Sequence, residues 1–413
     1  MSSRVISKYL TNYAESDILQ LVDFPEDLHF RHCLVIPAYN ETAEYFTRLQ
    51  FGPLHNQNAL CITVINQPDT DPDTQANEQL MHHLRHSSNL IWRSAHMFLL
   101  HCRGSNNYWL AVDRFSHDAH SERRIPKNEG VGLARKIGCD IATTLVARSQ
   151  IASGWIHSSD ADVFLPKDYF QLPDASNYTA AIYQFKHQND GSAVGRATAL
   201  YEQTLNYYVA GLRWANSPYA YHTIGSIFAI NADSYCHVRG FPRRSGGEDF
   251  YLLNKLAKLG GFYRSDSVIR IKARESQRVP FGTGPAVATI MRLDNPAEDL
   301  TSYNPDVFNC LKEWQIHIPQ IWPRLHKGMD PLASLSLVTR DAVVAVGWET
   351  IATHLSKQAK TQKDTDRALC SWFDAFRTLK FIHYLQKHHY PALSFKECLA
   401  KAEFYQSGEI ISE

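Results

Sequence analysis

Cys33-Leu34-Val35-Ile36-Pro37 is an unbroken apolar run closed by proline, as expected of a central strand buried on both faces of a parallel sheet. Ala38-Tyr39-Asn40-Glu41 follows as a loop, and Thr42 to Leu49 reads as the start of a helix. A second apolar run, Leu60-Cys61-Ile62-Thr63-Val64-Ile65-Asn66, breaks into Gln67-Pro68-Asp69-Thr70-Asp71-Pro72-Asp73, a loop rich in turn formers. Helical sequence from Gln75 to Arg85 comes next, then apolar segments at Met97 to His101 and Tyr108 to Val112. Strands alternating with helices predict a layered α/β domain.

Further along stands Ser159-Asp160-Ala161-Asp162-Val163-Phe164, between the apolar Gly154-Trp155-Ile156 and a turn, Leu165-Pro166-Lys167-Asp168. Two carboxylates one residue apart at a strand end point the same way. Such a pair can hold a hard divalent cation through oxygen, and the cation can hold a diphosphate. The plainer account is a solvated acidic turn.

Gly130-Val131-Gly132-Leu133-Ala134-Arg135-Lys136-Ile137-Gly138 invites comparison with a dinucleotide fingerprint. It lacks the third glycine, and the preceding Pro126-Lys127-Asn128-Glu129 is not a strand. A helix from about Gly130 fits better, with Arg135 and Lys136 either solvated or facing a diphosphate. Tyr178 to Phe185 and Ile224 to Ile230 read as strands, and Ala199 to Ala215 as a helix. Asn231-Ala232-Asp233 caps a short helix. Ser245-Gly246-Gly247-Glu248-Asp249 opens another helix that stops at Gly260. Acids in a first turn satisfy free amides and oppose the helix macrodipole, which alone would account for Glu248 and Asp249.

The composition bounds the rest. A chain of 413 residues suits one large domain plus an appendage. Lys plus Arg equals Asp plus Glu, 42 each, which argues against a nucleic-acid footprint or a polybasic membrane patch. No apolar run approaches the ~20 residues of a membrane helix, and no basic-then-apolar leader is present. The eight cysteines are scattered without a Cys-X-X-Cys pair, as expected of buried reduced thiols. A cytoplasmic protein is expected. Beyond Gly284 the sequence turns helical: Leu369, Trp372, Phe373, Phe376 and Leu379 share one helix face, and Leu335 to Ile351 and Phe395 to Tyr405 are also helix-like. That apolar face needs a partner, either the rest of the chain or a second copy in a homodimer. The glycines of Arg278-Val279-Pro280-Phe281-Gly282-Thr283-Gly284 are expected to hinge a loop.

Three of these stretches, CLVIPAYNE at 33–41, DADVFLPKDYF at 160–170 and GSIFAINADSYCHVRGFPRRSGGEDFYLLNKLAKLG at 225–260, together resemble a family 2 glycosyltransferase with the GT-A fold. The resemblance covers roughly residues 30 to 270. It implies a Rossmann-like, mostly parallel central sheet in a domain at 31–285, after a lead-in at 1–30 and before a helical region at 286–413. It implies that Pro37, Ala38, Tyr39 and Glu41 line the nucleotide pocket, where Arg135 and Lys136, if not solvated, would face the diphosphate. Asp160 would touch ribose or metal, with Ala161 beside it, and Asp162 would ligate Mn²⁺ or Mg²⁺. Gly225, Ser226 and Glu248 would lie on the acceptor side, and Asp249 would be the general base. The reaction implied is transfer from a nucleotide-sugar donor to a carbohydrate or small-molecule hydroxyl, with inversion.

Two departures stand out. Where the family's second strand ends in Asp-Asp-Gly-Ser, this chain has Asn66-Gln67-Pro68-Asp69. A UDP-sugar is favoured with a GDP-sugar as the alternative, and Asp69 or Asp71 would take the missing aspartate's place. The Gln-X-X-Arg-Trp signature of processive synthases is absent too, favouring single transfer. A pyrophosphorylase needs a Gly-rich basic loop after its first strand, which residues 37–41 do not form. A retaining enzyme, or an inactive glycan- or nucleotide-binding protein on the same scaffold, are the remaining alternatives.

Overall fold

A computed structural model describes residues 4–118, 121–274 and 282–406. The chain divides into two compact units, one of Met1–Gln188 with Thr223–Pro285 and one of Asn189–His222 with Ala286–Glu413. Residues 189–222, expected inside the 31–285 domain, therefore belong to the helical unit, and the 1–30 lead-in belongs to the first unit.

The first unit is built on a 10-stranded sheet. Its strands are β1 (His32–Ala38), β2 (Ala59–Asn66), β3 (Ser88–Arg93), β4 (Met97–Cys102), β5 (Tyr108–Arg114), β6 (Trp155–Ser158), β7 (Val163–Phe164), β8 (Ala180–His187), β9 (Phe228–Asn231) and β10 (Phe262–Ile271). Across the sheet the order is β3-β4-β5-β2-β1-β6-β9-β8-β10-β7. The neighbours β5, β2, β1 and β6 run parallel; β9 runs against β6 and β8. All of β1 and β2 is buried, which is what their unbroken apolar runs require. With the strands of this unit go helices α1 (Arg4–Asn12), α2 (Glu44–Phe51), α3 (Gln75–His86), α4 (Gly130–Ala147), α6 (Ala232–His237) and α7 (Glu248–Leu256), while α5 (Ala193–Trp214) belongs to the second unit.

The glycines of α4 serve close packing. A side chain on Gly138 would strike Val35 of β1, and one on Gly132 would strike the backbone of Pro242 and Arg244. The Gly132 amide donates to the Arg244 carbonyl at 2.9 Å. α4 thus joins the sheet core to the loop that leads into α7.

β3 and β10 have no counterpart in the sequence reading, and only Phe228–Asn231 of the expected strand at Ile224 to Ile230 forms. β10 is long but half-wet, and its polar middle bulges: Tyr183 pairs with Ser265, whereas Gln184 pairs with Val268. Its far end pairs with β7, Arg270 with Phe164 and Ile271 with Val163.

In the second unit, Tyr207 and Leu212 of α5 share a core with Phe308, Leu311, Trp314, Trp372 and Phe381. That core explains why α5 leaves the expected domain. The single helix face expected from Leu369 to Leu379 is broken: one helix ends at Trp372 and Asp374 starts another by accepting the Arg377 amide at 3.1 Å. Phe373 is therefore buried but Phe376 is 39% exposed. Leu335 to Ile351 likewise breaks at Gly347, φ 101°. Of the expected hinge loop, residues 278–281 lie outside the described residues, and Thr283 and Gly284 open a helix, Thr283–Ile290. The cysteines are free, with only Cys370 exposed among them. No helix among the described residues is long and apolar enough to cross a membrane.

Candidate functional site

In an open α/β sheet, ligands settle beyond the carboxyl ends of the strands where the order reverses. Here that point lies between β1 and β6, because β2 and β5 extend the sheet from one side of β1 and β6 begins the other. The carboxyl end of β1 leads to Glu41, and that of β6 leads to Asp160 and Asp162. The Ser159 amide donates to the Val35 carbonyl at 3.0 Å and extends the pairing to the edge of the motif.

The motif itself is a turn between β6 and β7, pinned from two sides. Arg48 of α2 donates through Nη2 to the carbonyls of Ala161 (2.6 Å) and Val163 (3.0 Å) and lies over the Phe164 ring at 4.4 Å. The Lys272 amide donates to the Asp162 carbonyl at 3.3 Å. The two carboxylates have different cations. Asp162 Oδ2 meets Arg274 Nε at 2.8 Å, and Arg274 Nη1 also reaches Glu41 Oε1 at 3.1 Å. Burial and then the Asp160 charge push the Asp162 carboxyl up to about 6, against the pull of Arg274.

Asp160 belongs to Arg135. The Arg135 guanidinium donates to Asp160 Oδ1 (2.5 Å), Glu248 Oε1 (3.0 Å), Ser158 Oγ (2.9 Å) and the Ser159 carbonyl (3.2 Å). Arg135 is only 3% exposed, so it is neither solvated nor open to a diphosphate as the sequence suggested. Burial alone would lower its pKa, but Asp160, Glu248 and Asp249 outweigh that and raise it. Gly225 is the lid on this group: a side chain there would strike the guanidinium, and its carbonyl accepts from Ser158 Oγ at 3.3 Å. Ser226 is buried behind it.

Asp249 stands in the first turn of α7, reached through Gly247 at φ 71°. The Phe250 amide donates to Asp249 Oδ1 at 2.7 Å. Burial and then Glu248 push the Asp249 carboxyl up to about 8, with the Phe250 amide and Arg135 opposing. A carboxyl poised there can exchange a proton near neutral pH.

The remaining expected residues scatter more. Pro37 and Ala38 are buried in β1, their side chains on opposite faces of the sheet. The Tyr39 hydroxyl donates to the Asp71 carboxylate. Asn77 ties the two strand ends together, donating to Gln67 Oε1 (2.5 Å) and accepting from the Asn40 amide (3.1 Å). Asp69 accepts from the Lys127 amide at 3.0 Å. Lys136 turns away: its ammonium donates to Tyr9 Oη (2.7 Å), the Tyr13 carbonyl (2.9 Å) and Asp140 Oδ2 (2.9 Å). The sequence offered no signal for Arg274 or Arg48.

Among the described residues no group of three or more His, Cys, Asp or Glu is arranged to hold a metal. The donor chemistry at Asp160 and Asp162 nevertheless fits Mg²⁺ or Mn²⁺, which proteins commonly hold by one or two carboxylates with substrate phosphates supplying the rest. Arg274 Nε already places positive charge against Asp162.

No protein-family model matches the chain, and no curated protein matches it. Among solved structures, one that is similar is the mannosyltransferase PcManGT from Pyrobaculum calidifontis in complex with GDP-Man and Mn²⁺, at 14% identity and a TM-score of 0.34 over 88% of this chain and 93% of that one.

Proposed function

We propose that this chain is a nucleotide-sugar-dependent, non-processive glycosyltransferase of the GT-A, family 2 type, inverting, with Asp249 as general base. The observation that carries the reading is the buried Arg135, which holds Asp160 and Glu248 at once and feels the charge of Asp249. On this reading it would link the leaving-group end of the site to the base end through one rigid group.

Glu41, Asp160 and Asp162 would receive the donor's diphosphate side, and the loop around Tyr39, Asp69 and Asp71 its nucleoside, UDP or GDP. A bound Mn²⁺ or Mg²⁺ would neutralise charge growing on the leaving diphosphate. Arg48 and the Lys272 amide hold the Asp162 turn in place. Asp249 would accept the proton of the attacking hydroxyl, a carbohydrate's or a small molecule's, on the side bounded by Gly225, Ser226 and Glu248. A proton acceptor pushed up to about 8 suits that task near neutral pH. Residues 31–188 and 223–285 would carry the chemistry, and the helical unit would serve a homodimer, in a cytoplasmic protein.

The test is a thermal-shift panel of nucleoside diphosphates and nucleotide sugars with and without Mn²⁺, followed by turnover with the best donor and anomeric NMR of the product. A ligand that binds only the folded state raises the melting temperature. Metal-dependent stabilisation by UDP or GDP and an inverted product are expected; full turnover in excess EDTA would defeat the metal-dependent reading.

A further inference from the structure

The two carboxylates of the Asp160–Asp162 turn are neutralised by arginines of opposite character. Arg135 is enclosed by four hydrogen bonds and the Gly225 backbone, and has nowhere to go. Arg274 is 34% exposed on its side chain and bridges Asp162 and Glu41, each 15% exposed. Its partners follow two different strands, β6 and β1, so its fork spans the two sides of the switch point.

We propose that Arg274 is a resident cation that competes with a divalent ion for Asp162, so that metal enters with a diphosphate and poorly alone. This rests on reading the site as one for a metal-bound diphosphate. A divalent ion held by Asp162 would share that carboxylate with the guanidinium, and in a partly desolvated site such like charges would repel strongly. Arg274 must then release Asp162. Bare metal leaves it only Glu41, which it already holds. A diphosphate brings an anion to receive it, and arginine's planar fork matches phosphate oxygens. Asp160 cannot make the same exchange, because Arg135 is locked between it and Glu248.

The experiment titrates Mn²⁺ into the full chain and follows the free ion by electron paramagnetic resonance, first without nucleotide and then with saturating UDP or GDP. Wild type is compared with Arg274→Ala and with Arg274→Lys, which keeps the charge but loses the fork. Arg274→Ala should bind bare Mn²⁺ at least about fivefold tighter than wild type, within the usual range of coupling between sites. The gain in Mn²⁺ affinity from the diphosphate should shrink by a similar factor, and Arg274→Lys should fall between. If Arg274→Ala does not fold, tighter bare Mn²⁺ binding by Arg274→Lys carries the expectation. Equal or weaker bare Mn²⁺ binding by the variants, with diphosphate-supported binding intact in wild type, overturns the exchange and leaves metal-dependent transfer standing. A wild type that binds no Mn²⁺ even with diphosphate overturns both.

Discussion

Arg135 and Lys136 are consecutive on α4 and serve separate buried networks. Arg135 faces Asp160 and Glu248, and Lys136 faces Asp140, Tyr9 and Tyr13. Asp140 is fully buried and also accepts from Tyr9 Oη (2.5 Å), Tyr235 Oη (2.8 Å) and the Glu15 amide (2.8 Å). The lead-in helix α1 is thus bolted to α4 one residue away from the site.

Both arginine and lysine should be costly to remove, with different consequences. Taking one partner from a buried ion pair commonly costs about 3–5 kcal/mol, because the other charge stays buried and unpaired. Arg135→Met and Lys136→Met should each lower the unfolding free energy, measured by urea denaturation, by an amount in that range. Per folded molecule, Arg135→Met should lose donor binding and turnover, whereas Lys136→Met should keep both. Equal activity loss in the two variants would mean that α4 acts only as scaffold.

Asp249 sets a pH signature with a definite sign. Its carboxyl moves from an ordinary 3.8 to about 8 on folding. Between those values the folded chain holds a proton that the unfolded chain has released, so this group lowers stability as pH rises through that window. Asp249→Asn cannot ionise. Its melting temperature relative to wild type should climb from pH 4 to about pH 8 and then level. Wild-type kcat/KM should rise with pH up to about 8, while Asp249→Asn should be flat and about 10²–10⁴-fold lower. A wild-type profile flat from pH 5 to 9, or an active Asp249→Asn, would reduce Asp249 to a first-turn acid.

These groups were not equally legible in the sequence. β1 and β2 declare themselves because wholly buried parallel strands need continuous apolar runs, and Glu248-Asp249 because two glycines precede a periodic helix. Arg135 was visible as a cation but not as a buried one, since its partner Glu248 lies 113 residues away and nothing local encodes that pairing. Arg274 stayed hidden because β10, which delivers it, carries Arg264-Ser265-Asp266-Ser267 across a bulge and does not read as a strand. The break at Phe373 is not legible in the sequence because no glycine or proline marks it; Asp374 ends one helix by capping the next.

Gly225 offers a steric test of the Arg135 enclosure. A methyl group at that position meets the guanidinium, whereas one at Gly261 meets nothing within 4 Å. Overpacking of this kind typically costs about 1–3 kcal/mol. Gly225→Ala should lower the melting temperature and weaken donor binding together, since the displaced guanidinium holds Asp160. Gly261→Ala should leave both unchanged. If both variants behaved alike, the backbone at Gly225 would not be what confines Arg135.

Arg48 should control the metal carboxylate without touching it. Its hydrogen bonds go to the carbonyls on either side of Asp162, at 2.6 and 3.0 Å, and its guanidinium rests on Phe164. Arg48→Met keeps an apolar stem against α2's neighbours but removes both bonds, and bonds from a charged donor are worth about 1.5–3 kcal/mol. Part of that loss is recovered as water reaches the freed carbonyls, so the melting temperature should fall only slightly. The Asp162 turn, however, would no longer be held at one depth beside β7. Mn²⁺-dependent nucleotide binding should weaken by roughly tenfold, about 1.4 kcal/mol, while metal-free nucleotide binding stays near wild type. Isothermal titration with UDP or GDP, with and without Mn²⁺, separates the two. Equal weakening under both conditions would mean that Arg48 supports the nucleoside end; no weakening in either would mean that Lys272 and the β7–β10 pairing hold the turn unaided.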